Sequence, residues 1–173
     1  MKAYYILLII LFSFSAYAQN KSSVTELVSH LSWKSVTINS DDVLLYADTI
    51  SNELVDIGTP AAKELVNALK TPEKTVAAHI ILSRIYDPYV DLKGFATFYL
   101  DCPQATGLYY VFPGIYWFEL EGKYRITEAM IDVVYSYWYS EIILQKKATL
   151  PSFKELTEFT RKAIDDLTPC NSK

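Results

Sequence analysis

The sequence predicts a mainly α fold of antiparallel helical hairpins, with a small aromatic-rich β-hairpin inserted between them. Three observations carry that expectation. Apolar residues recur at helical spacing through 43–57, 61–85, 131–142 and 153–167, and helix-starting Ser or Thr residues precede these runs. Between 89 and 126 the helical period fades, and Gly, Pro and aromatic residues crowd together. Within that stretch a glycine at 122 separates two runs rich in β-forming residues, 115–120 and 123–126.

Taken in chain order, the first segment is a leader. Lys2 supplies a positive start, residues 4–14 form an apolar run, and Ala16-Tyr17-Ala18 places small residues where a signal peptidase seats them. A spanning helix needs roughly 20 apolar residues, more than this run offers, so residues 1–18 are expected to be a cleaved signal peptide. The product, residues 19–173, is expected to be a single helical domain, exported to the periplasm or outside the cell. No later stretch predicts a stable membrane insertion: even 130–144 is interrupted by Asp132, Ser136, Ser140 and Glu141. The 173-residue chain carries a formal charge of −4 and no basic run, which argues against a nucleic-acid partner.

The chain has two cysteines, Cys102 and Cys170, both after the leader. In an oxidising compartment two thiols most simply pair, and a bridge across so long a loop contributes about 4 kcal/mol. Their spacing is not that of a Cys-x-x-Cys motif, and two ligands do not fill a zinc shell.

Ser23-Val-Thr-Glu26 reads as a capping box opening a first helix with Leu27, Val28 and Leu31 on its apolar face. Residues 35–40 read as a connector. Ser40 reads as the cap of a second helix, with Asp41 and Asp42 in its first turn, an apolar stripe from Val43 to Ile57, and Gly58 as a left-handed stop. Thr59-Pro60 and Thr71-Pro72 are two copies of one start signal, a capping hydroxyl before a proline at the first helical position. Ala61, Ala62, Leu65, Val66 and Leu69 line the third helix. Val76, Ala77, Ile80, Ile81, Leu82 and Ile85 line the fourth. So short a connection predicts antiparallel neighbours.

The motif Ile-Gly-x-Pro-Ala-Ala at 57–62, then Leu-x-x-Ala-Leu at 65–69, then Pro72-Glu73 and a small-residue helix, resembles a HEAT-type helical repeat. The resemblance covers about residues 50–86. It implies one HEAT-like helix pair inside a helical domain, because an array needs about three stacked units and no second copy follows.

Residues 94–112 fit either helix or strand, since periodicity does not separate the two in a short apolar run. Residues 115–126 read as the β-hairpin. Thr127 opens a long helix to about 147. Pro151 then introduces the last one, with a second capping box, Ser152-Phe-Lys-Glu155.

No catalytic residue and no cofactor is predicted. The two histidines, His30 and His79, have no ligand spacing, and His79 reads as a half-exposed helix residue. Glu119 and Glu121 share a strand face, the one acidic pair that suggests sugar cleavage. The unexplained feature is aromatic density: the chain holds 14 Tyr, 8 Phe and 3 Trp. Tyr and Trp give large contact area at low entropy cost. Tyr135, Tyr139, Tyr116 and Trp117 are therefore the candidate binding residues. On the helix from Thr127, Ile131, Val134, Trp138 and Ile142 form the core face, and Tyr135 and Tyr139 fall to one side. The expected function is a secreted, non-enzymatic protein-binding module, an inhibitor or immunity-type protein, with an unidentified protein partner. The alternative is a small hydrolase acting on envelope material or polysaccharide.

Overall fold

The structure, a computed structural model, describes residues 23–38, 44–46, 49–87, 95–98, 105–111, 115–120, 123–152, 154–155, 158 and 162. The leader, Cys102 and Cys170 lie outside them. What is described is mostly helical, in keeping with a mainly α fold.

Helix α1 is Val24–Ser29. The Ser23 hydroxyl accepts the Glu26 amide at 3.2 Å, one half of the expected box. After a 3₁₀ turn at Trp33–Ser35 come two short strands, β1 Val36–Ile38 and β2 Leu44–Tyr46, paired antiparallel. This corrects the second helix: residues 44–46 are extended, and α2 runs only from Thr49 to Ile57. The β-branched Val36-Thr37-Ile38 favours extended backbone, and pairing with Leu44–Tyr46 outweighs the helical period there. Gly58 does stop α2. Its φ of 72° and ψ of −140° lie in a region essentially reserved for glycine.

Thr59–Ala61 then forms a 3₁₀ turn with Gly58 at its N-cap, leading into α3 Ala62–Ala68. Helix α4 is Pro72–Tyr86. The proline sits at its start as expected, but the Thr71 side chain makes no capping bond. The hydroxyl of Thr75 is used instead. It donates to the carbonyls of Leu69 (2.9 Å) and Thr71 (3.0 Å), closing the corner between the helices.

Every residue of α4 from Thr75 to Ser83 is buried. A helix apolar or covered on all sides is a central one. Around it pack α2, α3, the Trp33–Ser35 turn, α5 and β5. Leu54, Leu65, Leu69, Ile81 and Leu82 are fully buried at this centre. Lys74, at the margin, donates to Val28 O (3.0 Å) and Ser29 O (3.1 Å), so that its ammonium caps the C-terminal carbonyls of α1.

The described residues between 95 and 125 form four antiparallel strands in sequence order: β3 Phe95–Phe98, β4 Ala105–Val111, β5 Ile115–Leu120 and β6 Lys123–Arg125. The register shifts between Ala105 and Gly107. Ile115 and Trp117, two apart on one face of β5, enter the core beside α4 and α5.

Helix α5, Glu128–Trp138, starts under a Thr127 cap whose hydroxyl accepts from the Met130 amide at 3.2 Å. It continues as a single π-helical turn, Tyr139–Ile143. The long helix expected to 147 therefore ends earlier. Gln145 has a φ of 51°, and this left-handed residue sends the chain back along α5. Beyond it the second capping box is complete: Ser152 N (2.8 Å) and Oγ (2.6 Å) donate to the Glu155 carboxylate, and the Glu155 amide donates back to Ser152 Oγ at 3.3 Å.

Candidate functional site

The 3.6-residue period divides α5 into faces. Met130, Ile131, Val134 and Trp138 are buried against α4 and β5. Tyr135 and Tyr139, one turn apart, stand half-buried beside that core face. Their rings lie 5.4 Å apart, tilted by 32°. The ammonium of Lys70, just past the end of α3, sits 4.3 Å from the Tyr135 ring centre, a cation–π contact worth about 0.5–1 kcal/mol at an exposed site. The structure thus brings together two of the sequence-predicted binding residues and adds a cation. Exposed Ile143 and Leu144 follow four and five positions after Tyr139.

The other two predicted residues fare differently. Trp117 is only 1% exposed and belongs to the core, because strand alternation turns it inward with Ile115. It is not part of a surface. The side chains of Tyr116, Glu119 and Glu121 lie outside those described.

Where α5 crosses α4 there is a polar contact that sequence reasoning missed. His79 is fully buried, not half-exposed. Its Nδ1 accepts a hydrogen bond from Trp138 Nε1 at 3.0 Å, and the two rings meet edge-on with centroids 6.0 Å apart. Because Nδ1 accepts, the neutral imidazole carries its proton on Nε2. That Nε2 is buried with no hydrogen-bond partner among the described residues. Burial pulls the His79 pKa down from 6.5 to about 3. Trp138 is further packed by Tyr137, edge-on at 5.1 Å, and by Tyr86 at 5.8 Å.

The opposite side of α5 forms one wall of a shallow cleft of about 390 Å³. Asp132, Val133, Ser136, Tyr137 and Ser140 line it from the helix and the π turn; Ala148, Thr149 and Pro151 line it from the returning chain. Glu141 accepts the Ala148 amide and so ties the two walls together. Burial, and secondarily the Glu141 charge, raise the pKa of the Tyr137 phenol above its ordinary value, keeping it a hydrogen-bond donor. Asp132, Ser136 and Ser140 follow each other at four-residue intervals. That row is visible in the sequence, where it reads only as an interruption of an apolar run.

Among the described residues no group of three or more His, Cys, Asp and Glu side chains is placed to hold a metal ion. No described helix is long and apolar enough to cross a membrane. Comparison with protein-family models, with curated proteins and with solved structures found no match to this chain.

Proposed function

We propose that this chain is an exported, non-enzymatic binding module, an inhibitor or immunity-type protein, whose docking surface is the Tyr135–Tyr139 face of α5. The observation that carries the reading is the paired rings themselves. They lie 5.4 Å apart in a tilted contact, one is braced by Lys70, and both stand on a helical segment whose other face is packed into the core. Aromatic groups held in place before binding lose little entropy when a partner arrives, which is the character of an interface hot spot. Exposed Ile143 and Leu144 extend the apolar area along the same stretch of chain.

The rest of the proposal concerns the scaffold and its location. Helices α3 and α4 form the HEAT-like antiparallel pair, and the aromatic-rich β-hairpin at 115–126 is an insert packed on the helices. Residues 1–18 are the removed leader, residues 19–173 are one domain, and Cys102 pairs with Cys170.

Affinity capture tests the function. Residues 19–173, purified from the exported fraction, are immobilised and exposed to native envelope extract, beside the Tyr135→Ala and Tyr139→Ala variants. Recovery of a specific protein that falls at least tenfold in both variants supports the reading. Recovery unchanged by both substitutions refutes the proposed face. On the same preparation, an N-terminus at Gln19 and unreactive thiols are the expected results; an intact Met1 or two reactive thiols contradict the export and disulfide proposals.

A further inference from the structure

The cleft on the far side of α5 from the core has a chemistry unlike the tyrosine face. Four hydroxyls (Ser136, Tyr137, Ser140 and Thr149) and one carboxylate (Asp132) surround it, with Val133, Ala148 and Pro151 between them. None of those five polar side chains makes a hydrogen bond within the described residues, whereas the nearby Glu141 carboxylate is engaged with the Ala148 amide. Toward the described residues these donors and acceptors are unspent, and the Glu141–Ala148 bond ties the two walls of the cleft together.

Hydroxyl groups both donate and accept. A set of them is best matched by a ligand whose own groups do both, and a carboxylate adds an acceptor for two further hydroxyl donors. The Tyr137 ring with Val133 and Pro151 offers apolar surface for C–H groups. Among the described residues no Lys, Arg or His lines the cleft, and the Asp132 charge repels anions such as phosphate or a carboxylate. At about 390 Å³ it lies at the small end of the range for ligand pockets, about 300–1,000 Å³.

From this combination we infer that the cleft between α5 and residues 148–151 binds an uncharged saccharide. Asp132 and the Ser136, Tyr137, Ser140 and Thr149 hydroxyls bond the sugar hydroxyls, and the Tyr137 ring faces its C–H surface. The inference does not rest on the tyrosine face, because the two sites use different residues of α5.

Saturation-transfer NMR and calorimetry on the full exported chain test it, with cellobiose, maltose and N,N′-diacetylchitobiose as probes and agmatine as a cationic control. The expected result is saturable binding of at least one saccharide with a Kd below about 10 mM. That binding weakens at least threefold in each of Asp132→Asn, Ser136→Ala and Tyr137→Phe and is unchanged in Lys63→Ala, at an exposed position of α3 outside both faces. Asp132 and Ser136 are exposed, so those two changes leave the core intact. No saccharide binding, binding indifferent to the three substitutions, or agmatine binding in preference to the sugars overturns the inference.

Discussion

Mild acid should loosen the junction of α4 and α5, and the size of the effect follows from one side chain. In the folded protein His79 is neutral and its pKa is held near 3 by burial; unfolded, it titrates near 6.5. The folded-state value is the lower one, so between the two the unfolded chain binds more protons and stability falls with falling pH. At pH 7 the penalty is almost absent. By pH 4.5 the unfolded histidine is nearly all protonated while the native one is not, and about 2.5 kcal/mol is lost, close to the limiting slope of 1.36 kcal/mol per pH unit. The window stays above the folded-state pKa, so the figure depends little on how far below 4.5 that value lies. Direct protonation of the native site would require opening it, because imidazolium Nδ1 no longer accepts from Trp138 Nε1.

The assay is urea unfolding followed by Trp fluorescence at pH 7.0, 5.5 and 4.5, in wild type and in His79→Leu. Leucine fills much of the same space with no titrating group, and His30 and the carboxylates are common to both proteins. The difference in unfolding free energy, wild type minus variant, should drop by about 2.5 kcal/mol from pH 7.0 to 4.5. If the two stabilities instead run parallel across that range, His79 is not buried in the neutral form and the account of the α4–α5 junction is wrong.

Other substitutions probe separate parts of the structure. Lys74→Met removes both bonds to the α1 carbonyls while keeping the aliphatic stem; it should cost about 1–2 kcal/mol in urea unfolding. Leu65→Ala, at a fully buried position beneath α4, should cost about 2–5 kcal/mol. Gln145→Gly should raise stability by about 0.5–1 kcal/mol, since its φ of 51° penalises a side chain and suits glycine. A destabilised Gln145→Gly protein would contradict the left-handed turn that shapes the cleft.

The helices were legible where period and punctuation agreed. Leu65, Val66 and Leu69 after Pro60, and Val134 and Trp138 after Thr127, all lie in the core as spaced. The π turn and the left turn at Gln145 were not readable, because neither leaves a Gly or Pro mark in the sequence. At 44–46 a helical period was present, but pairing with 36–38 decided the backbone. His79 was misread for a related reason. Thr75, His79 and Ser83 recur every four residues, which from sequence looks like a solvated face; in the fold that stripe is buried. Thr75 and Ser83 donate to backbone carbonyls, and His79 accepts from Trp138, fifty-nine positions away in sequence. Only tertiary structure supplies such a partner. Tyr135 and Tyr139 were legible from helical geometry as half-buried residues beside the core face. Trp117 was not, because strand alternation alone does not say which face meets the helices.

In the proposed function a partner protein docks on the Tyr135–Tyr139 pair. Titration calorimetry of the captured, purified partner against wild type and Tyr139→Ala addresses it most directly. A hot-spot tyrosine carries about 2 kcal/mol, so the Kd should rise roughly thirtyfold. A Kd within twofold of wild type, in a variant that unfolds at the same urea concentration, would place the interface elsewhere.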